Sequence, residues 1–459
     1  MPNPFLPGTY PDPSVVRVGA DYYLVTSTFE YVPGLPVFHS TDLETWTQLG
    51  HAVDRPGQLD LSTVPSSGGL YAPTIRHHDG VFYLVCTLVG GTGRGGHFVL
   101  TATDPAGPWS DPAWLDGAAG IDPSLFFDDD GRAWFAATRQ SATPEWHDQT
   151  DVWLREFDTA TLSLVGDEHV LWHGALLGAV WAEGPHIYRR GDWYYLLASE
   201  GGTEFDHAVS VARSRAVTGP YTGYAANPVL THRNLGHGHP ITNVGHADLV
   251  ETPDGGWAAV LLASRGLHSM LGRESFLVPV EWQDDWPVFA PGVGQVVADP
   301  ARPAPRAAPA PLDWTSPNGP APATVDGDSV RLAGPGYVGV RQRHVDVGFG
   351  ARIVGTTDAA GLMVRQSEAA RLRLVVTAAA TTVVRTAGGV DEVVATAAPA
   401  SALEIRARGA DYECRADGRL IATVDGRFLS SPVAGGFLGV WLGVVSEGDA
   451  SFSGVYYGD

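Results

Sequence analysis

Short apolar runs separated by glycine, proline and aspartate recur along the whole chain. Within these runs apolar and polar side chains tend to alternate, as in 210–230 and 402–424, which is typical of strands. The first 300 residues contain no sustained stretch with the 3.6-residue period of an amphipathic helix. The sequence therefore predicts an all-β protein.

One sequence phrase is repeated five times in the first 300 residues. Each copy opens with a polar or small residue before an apolar run, passes through a Gly/Asp turn and ends in an aromatic-rich strand. The central turns are 60, 51, 60 and 64 residues apart. Repeats of this length, with about four strands each, are typical of β-propeller blades. We therefore expect a five-bladed β-propeller over 1–298, whose inner strands begin around one axis. The copies lie at 10–28, 71–89, 120–138, 182–200 and 245–263.

The composition changes after the fifth copy. Residues 299–324 are rich in proline and alanine and predict a stiff, extended linker. Beyond them the alternating strands continue without the repeated phrase, and Asp417-Gly418 predicts the tight turn of a hairpin. This pattern indicates an antiparallel β-sandwich over 325–459.

Composition and charge exclude several classes of partner. The 459 residues carry 29 basic and 51 acidic side chains, a net charge of −22, which argues against nucleic acid and anionic membranes. No apolar run reaches the roughly 18–20 residues of a membrane span, and the N-terminus lacks the pattern of a secretory signal. We expect a cytoplasmic protein without nucleic-acid or membrane partners. The sequence leaves open whether copies associate into a homo-oligomer.

Three of the five repeats open on a carboxylate. Asp12 stands in YPDPS and Asp122 in GIDPS, each next to proline, and Glu183 stands in AEGP, where Pro185 follows Gly184; proline restricts the backbone. Hydrolysis of a glycosidic bond needs one acid to protonate the leaving oxygen and a second carboxylate as base or nucleophile. Such tripeptides also occur in ordinary turns, so the hypothesis depends on the three lying in phase with the repeat. It predicts that they converge on one site.

The order of motifs resembles glycoside hydrolase family 43. The resemblance is carried by NPFLPGTYPDPS, STFEYVPGLPVFHSTDLETW, GLYAPTI, GIDPSLF, AEGPHIY, SEGGT, VGHADLVETPDG and LGRESFLVPVEW. More narrowly, the chain is similar to the β-xylosidase and α-L-arabinofuranosidase group with a concanavalin-like C-terminal sandwich. This implies an exo-acting, inverting hydrolase that releases terminal β-D-xylose, α-L-arabinofuranose or both from short plant-derived oligosaccharides.

The resemblance also implies a role for each carboxylate. Asp12 matches the general base, Asp122 the residue that orients the acid and modulates its pKa, and Glu183 the general acid. The physics agrees, because a neighbouring anion such as Asp122 raises the pKa of Glu183 and keeps it protonated near neutral pH. In an inverting enzyme the base and the acid stand about 6.5–9.5 Å apart, which leaves room for a water molecule.

Aromatic rings stack on sugars while excluding water, and Phe29, Tyr71 and Trp181 are the candidates for the first subsite. Core packing is the ordinary role of any one of them. Relatives carry Trp where this chain has Tyr71 and an aromatic residue where it has Ile121. We therefore expect the shape of the pocket to differ from theirs.

Three further residues are implied by the resemblance. Arg273 and Thr203 match positions that contact the substrate, and His246 matches a histidine on the propeller axis beside a water-coordinated Ca²⁺. A surface or structural ion pair, a turn residue and a satisfied core histidine are the respective alternatives. The chemistry requires no cofactor, and no EF-hand or zinc spacing is present. A structural calcium ion is implied by the resemblance alone.

Two other functions fit an all-β chain of this kind. A retaining fructosidase-type propeller would need N-D-P-N-G and E-C motifs, where this chain has YPDPS and E-G-P. A non-catalytic sugar-binding propeller would be indicated by loss of an opening carboxylate, and all three are present. The sandwich is open to two interpretations: a structural element that narrows the site or an independent carbohydrate-binding module.

Overall fold

A computed structural model describes residues 3–300 and 304–459. Strands dominate these ranges, so the prediction of an all-β protein is confirmed. No helix in them is long and apolar enough to cross a membrane. The short helices are Arg233–Leu235, Pro311–Asp313, Gly426–Leu429 and Ser431–Ala434.

The N-terminal part contains five separate antiparallel sheets, each of four or five strands. In chain order its strands are β1 (Ser14–Val18), β2 (Asp21–Val25), β3 (Tyr31–Val32), β4 (Gly34–Ser40), β5 (Thr47–Val53), β6 (Gly69–Leu70), β7 (Thr74–His78), β8 (Val81–Val89), β9 (Gly96–Ala102), β10 (Ala113–Trp114), β11 (Ile121–Phe127), β12 (Ala133–Gln140), β13 (Thr150–Asp158), β14 (Ser163–Trp172), β15 (Glu183–Arg190), β16 (Trp193–Glu200), β17 (Ala208–Ser214), β18 (Thr222–Gly223), β19 (Leu230–Thr231), β20 (Ile241–Glu251), β21 (Trp257–Arg265), β22 (Glu274–Gln283) and β23 (Trp286–Phe289). The sheets are β1-β2-β4-β5, β6/β7-β8-β9-β10, β11-β12-β13-β14, β15-β16-β17 with β18 and β19, and β20-β21-β22-β23.

The inner strands of these sheets form a closed ring. Strand β1 contacts β7, β7 contacts β11, β11 contacts β15, β15 contacts β20, and β20 contacts β1 again. The N-terminal segment closes the same ring, because the amide of Phe5 donates to Ser275 on β22 and the side-chain amide of Asn3 donates to the carbonyl of Leu277. Residues that begin different sheets are therefore neighbours in space despite their separation in sequence.

The C-terminal part is a two-sheet sandwich, as predicted. Its strands are β24 (Ser316–Pro317), β25 (Ala323–Asp326), β26 (Ser329–Leu332), β27 (Gly336–Arg341), β28 (Val347–Thr356), β29 (Ala360–Arg365), β30 (Arg371–Val376), β31 (Thr381–Ala387), β32 (Val390–Ala397), β33 (Ala402–Arg408), β34 (Asp411–Ala416), β35 (Arg419–Asp425), β36 (Trp441–Ser446) and β37 (Ala450–Gly458). The sheet β25-β26-β37-β28-β33-β34-β35 faces β27-β36-β29-β30-β31-β32 across one apolar core. The hairpin turn has φ of 45° at Asp417 and 77° at Gly418, the left-handed pair that a tight I′ turn needs.

The predicted linker packs against both parts of the chain where the structure describes it. Trp314 is buried in the sandwich core, and β24 pairs with β3 through Ser316 and Val32. Strand β25 begins at Ala323, inside the predicted linker. Residues 301–303 lie outside the described residues, and the bounds 1–298, 299–324 and 325–459 stay predictions.

Aromatic and charged contacts fix the sandwich on the first part of the chain. The rings of Tyr31 and Trp441 stack with centroids 3.8 Å apart. Arg365 donates to the Tyr31 hydroxyl at 2.7 Å and lies 3.5 Å from the buried Glu30. Glu30 and Tyr31 directly follow Phe29 in the chain. The contacts that hold the sandwich in place therefore also hold the wall of the predicted site.

Candidate active site

All nine residues predicted for the site line a single cavity of about 380 Å³. They come from the starts of different inner strands and from the loops beside them, and Asp12 and Arg273 are 261 residues apart in sequence. The ring of inner strands thus brings the predicted residues together, while their individual roles stay predictions. The nine are Asp12, Phe29, Tyr71, Asp122, Trp181, Glu183, Thr203, His246 and Arg273.

The backbone repeats one unusual conformation where the inner strands enter the site. Asp12 and Asp122 both have φ of 56°, and His246 has φ of 50°. Left-handed φ is uncommon for residues other than glycine and persists only where surrounding structure holds it. The recurrence in three sheets indicates that the inner strands share one entry geometry around the cavity.

Glu183 does not occupy the position equivalent to Asp12 and Asp122. The left-handed residue of the fourth sheet is Gly184, with φ of 58°. Pro185 follows Gly184 as Pro13 follows Asp12. The prediction of three equivalent carboxylates is therefore wrong for Glu183.

The register of the two inner strands shows the size of the offset. The pairing of β15 with β16 is irregular between Glu183 and His186, and that of β11 with β12 is irregular between Ile121 and Ser124. In this register Glu183 corresponds to Ile121, one residue before the left-handed position. Glu183 thus enters the cavity from a different backbone position than Asp12 and Asp122 do.

Asp12 is held as an anion. Its carboxylate accepts hydrogen bonds from the Ser27 hydroxyl and, at 3.0 Å, from Arg273. The His246 ring nitrogen Nδ1 lies 3.9 Å away. Burial raises the pKa of Asp12, but Arg273, His246 and Ser27 more than offset this and bring the pKa below its ordinary value. Asp12 can therefore act as a base.

Arg273 connects Asp12 to the opposite side of the cavity. Its Nη1 donates to Asp12 and, at 2.8 Å, to the Thr203 hydroxyl. Its guanidinium also lies 5.6 Å from the ring centroids of Phe29 and Phe437. The alternative of a surface ion pair does not apply, because Arg273 and Asp12 are both buried.

Glu183 and Asp122 both have raised pKa values. Burial raises the pKa of Glu183 well above its ordinary value, and the charges of Asp122 and Asp12 raise it further, against the opposing effect of Arg273. Burial also raises the pKa of Asp122 to about 6, although its Oδ2 accepts a 3.1 Å hydrogen bond from the Gly184 amide. One cavity thus holds an ionised carboxylate and a protonated one, the pairing that acid–base chemistry needs.

Aromatic rings from both parts of the chain form one wall. Phe29 contacts Tyr71 edge-on at 5.4 Å, and Phe437 packs against them at 5.8 and 6.0 Å. The amide of Phe437 donates to the Ser67 hydroxyl, which fixes this loop of the sandwich on the other part of the chain. Sequence reasoning missed Phe437 because it lies outside the repeated phrase and reaches the site only through the packing of the two parts.

The surroundings of His246 bear on the predicted metal. In the described ranges, no three His, Cys, Asp or Glu side chains are grouped so that they could hold a metal ion. Ca²⁺ prefers six to eight oxygen ligands, so His246 with Asp12 does not fit a directly bound calcium ion. A water-coordinated calcium on the axis stays a prediction, which metal analysis of the purified protein would test.

We expect Gly184→Ala to lower turnover at least tenfold. A Cβ on Gly184 would stand 2.9 Å from Cε1 of His246, so the imidazole beside Asp12 must shift. Gly191 is a matched control, because its φ is 59° and a Cβ there meets nothing within 4 Å. Both variants place alanine in the left-handed region, which costs about 1–2 kcal/mol, and their free energies of unfolding measure this cost. Equal turnover in the two variants would contradict this account.

Two family models match the chain. The model described as "Glycosyl hydrolases family 43" matches residues 1–287, and "Beta xylosidase C-terminal Concanavalin A-like domain" matches 329–456. Two solved structures are similar over all of this chain and 99% of their own chains. "Bacteroides ovatus Xyloglucan PUL GH43B" has a TM-score of 0.88 and 35% identity, and a xylan beta-1,4-xylosidase from Bacillus halodurans C-125 has 0.89 and 29%. These matches support a β-propeller followed by a β-sandwich.

Curated relatives agree with these matches. A xylosidase/arabinosidase of Butyrivibrio fibrisolvens is 50% identical over 64% of this chain, and that match spans 57% of the relative. The Bacteroides ovatus protein named "Non-reducing end alpha-L-arabinofuranosidase BoGH43B" is 38% identical over 97% of this chain and 91% of its own length. With a family model covering more than half of its length and a relative that matches it almost end to end, this chain belongs to glycosyl hydrolases family 43.

Proposed function

We propose that the protein is an exo-acting, inverting glycoside hydrolase that removes terminal β-D-xylose, α-L-arabinofuranose or both from short plant-derived oligosaccharides. The observation that carries this proposal is that two carboxylates with opposite pKa shifts line one cavity. The pKa of Asp12 is lowered and that of Glu183 is raised. Inversion is a property of the family. The names of the relatives support the choice of sugars.

The reaction is a single displacement at the anomeric carbon. Glu183 donates its proton to the glycosidic oxygen as the bond to the leaving group breaks, and Asp12 accepts a proton from the water that attacks the opposite face. After one turnover Glu183 is ionised and Asp12 is protonated, and exchange with solvent restores both. Arg273 keeps Asp12 ionised before the reaction.

Asp122 has a supporting role in this proposal. Its carboxylate is anchored by the Gly184 amide next to Glu183, and its charge contributes to the raised pKa of Glu183. Phe29, Tyr71, Trp181 and Phe437 supply apolar faces for the sugar ring and exclude water from it. We assign substrate contacts to Arg273 and Thr203.

The finer architecture belongs to the same proposal. We take the five sheets as five blades, which the ring of contacts between inner strands supports. Phe437 in the cavity favours the sandwich as a structural wall of the site over an independent sugar-binding module. The cytoplasmic location and a homo-oligomeric state stay predictions.

A substrate panel tests the proposed function. Purified protein is assayed on aryl β-D-xyloside, aryl α-L-arabinofuranoside, xylobiose and longer xylan chains, and single pentose units are expected as the only sugars released first. Release of internal fragments from longer xylan chains would contradict exo action. Binding of xylobiose without product would instead favour a sugar-binding propeller.

A further inference from the structure

Glu204 lies where the main cavity meets a second, smaller one. It belongs to the loop between β16 and β17, directly after Thr203, and both residues line the two cavities. The second cavity, of about 30 Å³, extends from this wall toward Ser431 and Pro432 of the sandwich. Glu204 is exposed, so it stands at the mouth of the site and not in its depth.

The Glu204 carboxylate is turned toward the site. Its Oε2 lies 3.1 Å from where a Cβ on Gly202 would stand, so the side chain folds back over a residue of the cavity wall. Within 3–300 and 304–459, no side chain or amide donates a hydrogen bond to this carboxylate. Its two oxygens are therefore available to a ligand at the mouth of the cavity.

The charge of Glu204 acts on the acid side of the site. It contributes to raising the pKa of Glu183. The group that receives the proton of Glu183 is the leaving-group oxygen, so the leaving group must lie beside Glu183. A terminal sugar in the depth of the cavity places its leaving group at the mouth, which is where Glu204 stands.

We infer that Glu204 is a specificity-determining residue that binds the leaving group. It accepts hydrogen bonds from the hydroxyls of a neutral sugar unit there and disfavours units that carry a carboxylate, such as uronic acids. This inference rests on the proposed function. Hydrogen bonds to an ionised acceptor are about twice as strong as those to a neutral one, so the charge of Glu204 matters as well as its shape.

A pH readout separates this role from a merely structural one. Neutralising Glu204 lowers the pKa of Glu183, so the alkaline limb of the kcat/KM profile is expected to move to lower pH. The other groups that set this limb are unchanged in the variant. They are Asp122, Asp12 and Arg273, and Tyr71, whose own pKa is raised by Glu183, is unchanged as well.

The test compares Glu204→Gln with Asp206→Asn, which neutralises an exposed carboxylate of the same loop that lines neither cavity. The ratio of kcat/KM for xylobiose to that for aryl xyloside should fall about three- to tenfold in E204Q only. Relative kcat/KM for a glucuronic-acid-substituted xylo-oligosaccharide should rise about fivefold, because the like-charge repulsion of roughly 1 kcal/mol in water is removed.

The outcomes distinguish the inference from the proposed function. E204Q could turn over aryl xyloside while the ratio of kcat/KM for xylobiose to that for aryl xyloside and the alkaline limb both stay unchanged. That result overturns the role of Glu204 and leaves the proposed function standing. Absence of turnover by the unaltered protein on every pentoside overturns both. An equal effect in D206N would show that the net charge of the loop causes the change, and it would overturn the inference.

Discussion

Glu183→Gln should lower kcat on xylobiose about 10²–10⁴-fold, the range in which a positioned general acid contributes. Glutamine keeps the shape of the side chain but cannot donate a proton to the leaving oxygen. An aryl glycoside with an acidic leaving group needs less protonation, so its loss should be much smaller. The measurement is steady-state kinetics on both substrates.

The contrast between substrates is what makes this variant informative. Glu183 is half-buried beside the buried Asp122, so unfolding of the variant should be compared with that of the unaltered protein. Because the pKa of Glu183 is raised, glutamine replaces a carboxyl that is already neutral, and the free energy of unfolding should stay nearly unchanged. Turnover of xylobiose near the original level would exclude Glu183 as the acid, whatever happens to the aryl substrate.

Asp12→Asn should abolish activity on both kinds of substrate to a similar degree, again about 10²–10⁴-fold. The water must lose its proton whichever leaving group departs, so an activated aryl group cannot compensate. The variant also removes the charge partner of the buried Arg273, and breaking such a pair costs about 3–5 kcal/mol. Kinetics and chemical unfolding check the two effects.

A control separates the two consequences of D12N. Asp21 is a half-exposed aspartate of the same sheet, paired with His39, and Asp21→Asn should retain turnover. If D12N loses stability but keeps its activity on the aryl substrate, Asp12 supports the fold and is not the base. Recovery of activity at low temperature, where the variant is folded, would lead to the same conclusion.

The repeat in the sequence predicts most of the site for a physical reason. Residues that open equivalent inner strands meet at the axis of a ring, so the spacing of Asp12, Asp122 and His246 predicts that they lie close together. The offset of Glu183 is not visible in the sequence, because the repeat spacing does not show that Gly184 takes the left-handed position that Asp12 and Asp122 take in their sheets. Sequence shows that glycine is present but not which neighbour takes the left-handed conformation.

Other residues of the site follow from packing and not from repetition. Phe437 belongs to the sandwich and reaches the cavity through contacts such as the stacking of Tyr31 on Trp441. Glu204 directly follows the SEGGT motif, and nothing in the local pattern separates it from the exposed acids of an acidic chain. The raised pKa of Asp122 likewise depends on burial, which a turn motif does not reveal.

The central claim is that Asp12 and Glu183 act in one displacement on opposite faces of the sugar. Proton NMR during the first minutes of hydrolysis of a β-linked xyloside reads this directly, before mutarotation mixes the anomers. The account predicts that α-xylose appears first and β-xylose follows by equilibration. Initial appearance of β-xylose would contradict it, because retention needs a covalent intermediate and a different division of labour between the carboxylates.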